Sequence, residues 1–144
     1  MPIILDASIA IKWYIHENLS DIALDLKKII DEGDLSVGVP QVFFLETANA
    51  LWKKTSLMNE LEIHDAKDIY SRLLDTSFHI VPDDDILLKA LDIALGHAIS
   101  IYDAMYLASA LFLNSTLVTA DAVLVKRLVG SNLSKHICFL EKFK

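Results

Sequence analysis

The sequence contains little of what builds a disulfide-rich, disordered or repetitive protein. Its 144 residues include 1 cysteine, 4 glycines and 3 prolines, and no low-complexity segment or repeat is visible. Cys138 alone can form neither an internal disulfide nor a thiolate zinc site, which fits a reducing cytoplasm. A chain of this length predicts one compact domain, residues 1–144, with a sizeable core.

Long apolar runs and basic charge are also missing. The N-terminus has no basic region followed by an apolar core, so it does not resemble a signal peptide. The stretch from Ile93 to Leu113 is interrupted by His97, Ser100 and Asp103, which argues against a membrane span. The net charge of −7 argues against a general nucleic-acid-binding protein, but not against an enzyme whose carboxylates surround a cation.

Several kinds of site lack their usual residues. The 5 histidines show no pairing at metal-ligand spacing, so none is expected to act as a ligand or base. No glycine-rich phosphate loop is present, which leaves nucleoside-triphosphate hydrolysis unsupported. The large aromatic residues Trp13, Tyr14 and Trp52 are predicted to be core or dimer contacts rather than platforms for stacked bases. An apolar fraction of 53% indicates helices covered on both sides or an oligomer interface.

What the sequence does contain is an alternation of apolar strands and helices. Five short strands are predicted at 2–6, 35–39, 78–81, 115–119 and 136–140. Pro40 is expected to stop the second strand and to lie just outside it. Helices are predicted at 8–15, 20–33, 41–55, 59–74, 83–97, 100–113 and 121–130, and Asn59 with Glu62 has the spacing of a capping box. This order predicts an α/β fold with a parallel sheet between helices. Ligands of such folds bind at the carboxyl edge of the sheet.

Two aspartates follow predicted strands at that edge. Asp6 ends the first strand, and Asp121 ends the fourth, two residues after the hydroxyl of Thr119. Either aspartate can be explained as a turn residue or helix cap, and Thr119 by its preference for strands. Because parallel strands finish at one edge, both carboxylates are also candidates for a shared site.

Two further acids lie in apolar helices. Asp103 has capping-box spacing with Ser100, but the rest of its helix is so apolar that a carboxylate there is expected to face something specific. Glu46, Asn49 and Lys53 lie on one face of their helix, at offsets of three and seven. That face is either a solvent-exposed stripe or part of the site at the sheet edge.

The combination of four acids predicts more than any one of them. If the first and fourth strands are neighbours, Asp6, Glu46, Asp103 and Asp121 can converge on one pocket. Like charges held that close repel unless a cation lies between them, and oxygen ligands select Mg²⁺ or Mn²⁺ over zinc. The chemistry that follows is metal-assisted hydrolysis of a phosphodiester.

With these residues in place, the chain resembles a PIN domain, and in particular the VapC-type toxins and their archaeal relatives, over essentially its whole length. The resemblance rests on four segments taken in this order and spacing: LDAS (Leu5–Ser8), LETANAL (Leu45–Leu51), SIYDAMYLASA (Ser100–Ala110) and LVTAD (Leu117–Asp121). It implies a three-layer α/β/α sandwich with five parallel strands in the order 3-2-1-4-5.

The resemblance also implies which residues act. The acidic quartet of the family corresponds to Asp6, Glu46, Asp103 and Asp121 as catalytic and metal-binding residues, and its supporting polar positions correspond to Ser8, Asn49 and Thr119. The implied activity is that of a cytoplasmic Mg²⁺- or Mn²⁺-dependent endoribonuclease that forms homodimers and is inhibited by a small antitoxin protein. Ala122 stands where a basic residue is usual, so the candidates for RNA phosphates are Lys12, Lys53, Lys54, Lys126 and Arg127.

Two other functions fit parts of the pattern. A phosphatase of the haloacid-dehalogenase type also begins with an aspartate after a strand, but it needs a second aspartate two positions on, where this chain has Ser8. A non-catalytic interaction module with the same fold would not need the four acids. Both alternatives are weaker than the nuclease interpretation.

Overall fold

The predicted strands form one sheet in the computed structural model, which describes residues 2–143. All pairs are parallel, in the order β3-β2-β1-β4-β5. In the central pair, Ile3 lies opposite Thr116 and Leu5 opposite Val118. The expected fold class and strand order are therefore confirmed. Because the chain changes direction between β1 and β4, the crevice beyond their carboxyl ends is the expected ligand site.

The elements follow the predicted alternation with shorter bounds. The strands are β1 (Ile3–Leu5), β2 (Val37–Pro40), β3 (His79–Val81), β4 (Thr116–Thr119) and β5 (Ile137–Phe139). The α-helices are α1 (Ala7–Lys12), α2 (Ser20–Asp31), α3 (Val42–Trp52), α4 (Ile63–Asp75), α5 (Asp83–His97), α6 (Ile101–Phe112) and α7 (Ala122–Leu128). A π-helical turn, Lys53–Leu57, extends α3, and 3₁₀ turns flank β5 at Ser134–His136 and Leu140–Lys142.

The centre of the sheet is buried on both faces. Every residue of β1 and β2 is buried, which requires a layer of helices on each side. Helix α6 packs over β1, β2 and β4, and α5 packs on α6. On α6, seven consecutive residues from Ala104 to Ala110 are buried. This packing holds the first turn of α6 beside the carboxyl edge of the sheet.

Two local predictions are wrong. Asn59 does not cap a helix: it has a positive φ of 51°, and α4 begins four residues later at Ile63 with Glu62 at its N-cap and no side-chain cap bond. Pro40 does not stop β2 but is its last residue, paired with Val81. A proline lacks an N–H but keeps its carbonyl, so a strand can still end on it.

The helices of residues 2–143 include none that is both long enough and apolar enough to cross a membrane.

Candidate active site

The carboxyl edge of the sheet opens into a cavity of about 390 Å³ that brings the four predicted acids together. Its lining includes Asp6, Glu46, Asp103 and Asp121. The predicted neighbours Ser8, Asn49 and Lys53 line the same cavity. Asp6 and Asp121 arrive from the ends of β1 and β4, while Glu46 and Asp103 are supplied by α3 and α6.

Asp6 is held by hydroxyl groups from two directions. Thr119, the fully buried last residue of β4, donates a hydrogen bond to Asp6 Oδ2 at 2.7 Å. Ser8 Oγ donates to the same oxygen at 3.0 Å. Asp121 joins this set, because its backbone N–H donates to Thr119 Oγ1 at 3.0 Å. Thr119 therefore links the ends of β1 and β4 through its side chain, which fixes the rotamer of Asp6.

Asp121 also caps α7, which is the alternative role that its position in the sequence suggested. Its Oδ1 accepts hydrogen bonds from the N–H groups of Val123 at 3.0 Å and Leu124 at 3.1 Å. A carboxylate at this position is favoured by the helix dipole. The same side chain lines the cavity, so capping holds Asp121 in place at the rim.

Glu46 faces the cavity rather than forming part of an exposed stripe. Its side chain is partly buried, and its Oε1 accepts a hydrogen bond from the hydroxyl of Tyr106 at 2.6 Å. Tyr106 lies on α6 and is 2% exposed, so this bond ties α3 to α6 across the floor of the site. Asn49, one turn after Glu46, lines the cavity from an exposed position.

Asp103 stands in the first turn of α6. Its N–H donates to Ser100 Oγ at 3.1 Å, so the serine caps the helix as predicted. The Asp103 carboxyl group lines the cavity from this turn.

Burial and mutual repulsion raise the pKa of three of these carboxyl groups. For Asp6, burial is the main cause of the raised pKa, and the charge of Asp121 raises it further. The hydrogen bonds from Thr119 and Ser8 lower this pKa but do not offset the rise. For Glu46, burial and then the charges of Asp6 and Asp103 raise the pKa. For Asp103, burial and then the charges of Asp6 and Asp121 do the same. The site therefore concentrates negative charge, which a bound cation would offset.

A network of ion pairs covers one rim of the cavity. Glu17 Oε1 lies 3.0 Å from Lys12 Nζ, and Glu17 Oε2 lies 3.3 Å from Lys54 Nζ. Lys54 also pairs with Glu60 at 3.2 Å. Lys12 and Lys54 thus have their charges largely neutralised, and both side chains are mostly buried. Lys53 lines the cavity and has no carboxylate within 4.0 Å among the residues described.

The two basic residues of α7 lie outside the cavity lining. Lys126 and Arg127 are exposed. Arg127 is close enough to Asp103 for its charge to lower the pKa of that carboxyl group, and its guanidinium reaches the carbonyl of Ala98 at 3.5 Å. Lys126 has no ion pair within residues 2–143. Of the predicted phosphate contacts, Lys53 is therefore the best placed.

The donor set fits a hard divalent cation. In the part of the chain that the structure describes, no group of three or more His, Cys, Asp or Glu side chains is arranged so that it could hold a metal ion. Mg²⁺ does not require such a cage, because it is usually bound through one or two carboxylates and keeps several of its waters. Four oxygen-donor side chains around a 390 Å³ cavity leave room for those waters.

A larger cavity, about 770 Å³, lies elsewhere and is not a rival site for this chemistry. It opens near the amino ends of β1 and β4, at Ile3 and Thr116, and its lining contains no carboxylate.

Two members of the site were missed by reading the sequence. Tyr106 could have been found, because it lies three residues after Asp103 and so shares a helix face with it. Glu17 lies in the connection between α1 and α2, where no periodic pattern indicated that it would face the cavity.

The fold and site define an α/β protein with an acidic cluster at the switch point of a parallel sheet. The sequence matches the family described as the PIN domain over residues 3–128, and the chain therefore belongs to that family. Proteins with PIN domains are generally nucleases, and PIN nucleases generally use divalent metal ions.

Two solved structures have a similar fold. The crystal structure of PAE2754 from Pyrobaculum aerophilum is 23% identical, with a TM-score of 0.71 over 98% of this chain and 85% of that chain. A toxin–antitoxin complex from Klebsiella pneumoniae is 16% identical, with a TM-score of 0.64 over 95% of this chain and 96% of that chain. A comparison with curated proteins finds no match.

Proposed function

We propose that this chain is a metal-dependent endoribonuclease and the toxin of a type II toxin–antitoxin pair of the VapC kind. The observation that carries the proposal is the meeting of Asp6, Glu46, Asp103 and Asp121 in one cavity. Three of these carboxyl groups have raised pKa values, so their ionised forms are costly without a cation. A cation held between carboxylates suits the hydrolysis of a phosphodiester.

Asp6, Asp103 and Asp121 would hold Mg²⁺ or Mn²⁺, directly or through water. When bound, such a cation lowers the pKa of water and stabilises negative charge on a phosphate. The hydroxyl groups of Thr119 and Ser8 keep the Asp6 carboxylate oriented toward the cavity by bonding its Oδ2. This arrangement corresponds to the hydrogen-bonded support that metal-binding carboxylates usually have.

Glu46 would be a further ligand or the acceptor of the proton from the attacking water. The pKa of Glu46 is raised toward neutral pH, and a general base is most effective when its pKa lies near the operating pH. Tyr106 holds Glu46 Oε1 at 2.6 Å, and Asn49 lies beside it on the cavity wall.

Lys53 would hold an RNA phosphate at the rim of the cavity, with Lys126 and Arg127 as more distant contacts. The two ion-paired lysines, Lys12 and Lys54, would instead keep Glu17 at the rim. RNA is proposed over DNA because the chain resembles the VapC-type ribonucleases.

A small antitoxin protein is proposed as the partner, and the cytoplasm as the location. The similarity to a toxin–antitoxin complex supports the partner. The single cysteine supports a reducing compartment.

A homodimer is proposed from an exposed apolar face on α5. Leu87, Leu91 and Leu95 recur every four residues along one side of this helix and are 47%, 47% and 76% exposed. Leu88, 76% exposed, borders the same stripe. Exposed apolar area of this kind usually marks a protein interface.

Purified protein incubated with RNA and Mn²⁺, with and without EDTA, tests the activity. We expect cleavage that needs the metal and that Asp6→Asn reduces at least about a hundredfold, since removing one catalytic group typically costs that much. Asp25→Asn is the matched control, because it removes the same charge at an exposed position of α2, and this variant should cleave normally.

Cleavage that survives EDTA or Asp6→Asn would remove the metal-hydrolase mechanism. Hydrolysis of small phosphomonoesters without RNA cleavage would favour the phosphatase, and failure to cleave any RNA would favour the interaction module. Growth arrest on expression of the wild-type chain but not of Asp6→Asn is the expected sign of a toxin.

A further inference from the structure

The connection between α1 and α2 brings a fifth carboxylate, that of Glu17, into the lining of the carboxylate cavity. Its two oxygens bridge two ammonium groups, since Oε1 lies 3.0 Å from Lys12 Nζ and Oε2 lies 3.3 Å from Lys54 Nζ. We refer to Lys12 and Lys54 as the lysine pair. An anion whose charge is shared by two oxygens can take the same bridging position.

The lysine pair is the fixed part of this arrangement. Lys12 ends α1, Lys54 lies in the π-helical turn after α3, and their side chains are only 12% and 16% exposed. Lys54 is also held from another side by Glu60 at 3.2 Å. Because both side chains are largely enclosed, the two ammonium groups define a standing site for an anion at the rim of the cavity.

The side chain of Glu17 is the part that can move. Its backbone N–H donates to Ser20 Oγ at 2.9 Å, which fixes the main chain, but its carboxylate pairs only with the two lysines within residues 2–143. The side chain is 30% exposed and belongs to a connection outside the helices and strands. Rotation about its side-chain bonds is enough to carry the carboxylate into solvent.

Another anion has to take the place of Glu17 when it leaves. Lys12 has no second carboxylate within 4.0 Å in the part of the chain that the structure describes, and a mostly buried ammonium group without a partner is costly. Although burial raises the pKa of Glu17, Lys12 and Lys54 lower it on balance. The lysine pair therefore favours a negative charge at this position.

A phosphodiester fits this position better than a carboxylate from another protein. It carries one negative charge shared by two oxygens, so its exchange for Glu17 leaves the charge of the cavity unchanged. RNA is a chain of phosphates, and it can supply one for a cation held by the four acids and the next for the lysine pair in the same 390 Å³ cavity. A single carboxylate of a protein partner supplies only one of the two.

We propose that the lysine pair is a second phosphate subsite for the RNA substrate, and that Glu17 occupies it in the free protein until a phosphate displaces it. This inference rests on the proposed ribonuclease function and adds to it an internal competitor of the substrate. Lys12 and Lys54 keep Glu17 at the rim in the free protein and hold RNA in its place in the complex.

Glu17→Gln tests the competition, because it removes the charge and keeps the size of the side chain. The affinity for a short labelled RNA, read by fluorescence anisotropy on Asp6→Asn protein with Mg²⁺, should rise about tenfold, the gain expected if Glu17 fills the subsite roughly nine-tenths of the time. The plot of log affinity against log salt concentration should steepen by about 0.7, because the freed lysines then release counterions to a phosphate. A Glu17 that only braces its connection would give lower affinity and an unchanged slope.

Glu60→Gln is the matched control. It removes the same charge from beside the same lysine, but Glu60 is 50% exposed and does not line the cavity. Its RNA affinity should change by less than about twofold, as is usual for an exposed ion pair. An equal gain in both variants would show a general effect of net charge and would overturn the subsite.

Inorganic phosphate tests the subsite without RNA and without cleavage. Compared with sodium chloride of equal ionic strength, phosphate should raise the unfolding temperature of Glu17→Gln but not that of the wild type or Glu60→Gln, since only the open subsite binds it. If Glu17→Gln does not fold, Lys12→Gln takes its place. That change should lower RNA affinity by about threefold or more, and an unchanged affinity would contradict the proposal.

The outcomes separate the subsite from the proposed function. If the wild type cleaves RNA, while Glu17→Gln has unchanged RNA affinity and KM and no response to phosphate, the subsite is overturned and the nuclease stands. If Glu17→Gln binds phosphate and RNA more tightly but the wild type cleaves no RNA, the subsite stands and the nuclease does not. If Glu17→Gln tightens the binding of a polyglutamate peptide but not of RNA, the lysine pair receives an acidic protein segment and the phosphate proposal is wrong.

Discussion

At the scale of single residues, uncharged hydroxyl groups control how the carboxylates face the cavity. Thr119 is fully buried, yet its hydroxyl accepts from the Asp121 N–H and donates to Asp6 Oδ2. Tyr106 likewise orients Glu46, because its hydroxyl donates a hydrogen bond to Glu46 Oε1. Both donors lie on elements packed in the core, so these hydrogen bonds hold the carboxyl groups of Asp6 and Glu46 in place.

Tyr106→Phe should lower the rate of RNA cleavage by about tenfold or more, the usual cost of losing a hydrogen bond to a charged group. The bond from Tyr106 lowers the pKa of Glu46, so its loss should move the acidic limb of the pH–rate profile to higher pH. Tyr102→Phe is the control, since Tyr102 is 54% exposed on the same helix and makes no side-chain hydrogen bond within residues 2–143. An unchanged rate and profile would mean that Tyr106 only fills the core.

Without metal, the site should destabilise the protein as the pH rises. Burial, followed by neighbouring charge, raises the pKa of Asp6 and Asp103 above 3.8 and that of Glu46 above 4.5. Their contribution to stability is complete below those unfolded-state values and is lost as the pH rises through the folded-state values. Glu17 acts in the opposite sense, because the hydrogen bonds and charges of Lys12 and Lys54 lower its pKa in spite of burial.

The free energies of unfolding of Asp6→Asn and the wild type are compared in EDTA, where the contribution of Glu17 cancels because both proteins contain it. Thermal unfolding should show similar stabilities near pH ~4, and Asp6→Asn more stable by about 0.5–2 kcal/mol near pH ~8. Addition of Mn²⁺ should raise the stability of the wild type at the higher pH, because only the folded protein has the site. A difference that does not depend on pH would rule out strain from the carboxyl groups.

At the scale of elements, α3 lines two cavities because its faces differ. Glu46, Asn49 and the following Lys53 line the carboxylate cavity, whereas Leu51 and Trp52 line a second cavity of about 550 Å³ between α4 and the end of α3. The π-helical turn that follows places Thr55 in the lining of that second cavity. Single π-helical turns are frequent at functional sites.

Two glycines in different elements should respond oppositely to alanine. A Cβ on Gly38, in β2, would lie 2.9 Å from Leu113 Cδ1 and 3.0 Å from Ile4 Cδ1, and Ile4 is fully buried. Gly38→Ala should therefore cost about 1 kcal/mol by overpacking. Gly96 lies in α5 with nothing within 4 Å of a Cβ, and Gly96→Ala should stabilise by about 0.5–1 kcal/mol. Chemical denaturation measures both, and equal effects would contradict the packing argument.

At the scale of the whole molecule, the order of the strands brings the acids of the site together. Because β1 and β4 are neighbours, two aspartates separated by most of the chain finish at one edge. Helices α3 and α6 then add Glu46 and Asp103 from above that edge. The exposed side of α5, by contrast, carries leucines that the fold leaves uncovered.

Replacing Leu91 and Leu95 with lysine should convert a dimer into a monomer, because two charges would be buried in an apolar interface. Light scattering after size-exclusion chromatography gives the mass. Leu74→Lys is the control, since Leu74 is 54% exposed on α4, away from the stripe on α5. A wild-type protein that is already monomeric at high concentration would overturn the homodimer.

Short stretches of sequence were enough to predict the elements and to pick out the acids. Strand and helix patterns are local, so the alternation, the strand-end positions of Asp6 and Asp121, and the cap at Ser100 all follow from a few neighbouring residues. Where local signals were weak, as at Asn59, the prediction was wrong because a capping box depends on only two residues.

Which side chains meet depends instead on the packing of the whole chain. The Tyr106–Glu46 bond joins residues 60 positions apart, and the Thr119–Asp6 bond joins residues 113 positions apart. Packing likewise brings Lys54 to Glu17 and leaves Trp52 exposed. Such pairings depend on how helices lie over the sheet, and no short segment of the chain contains that information.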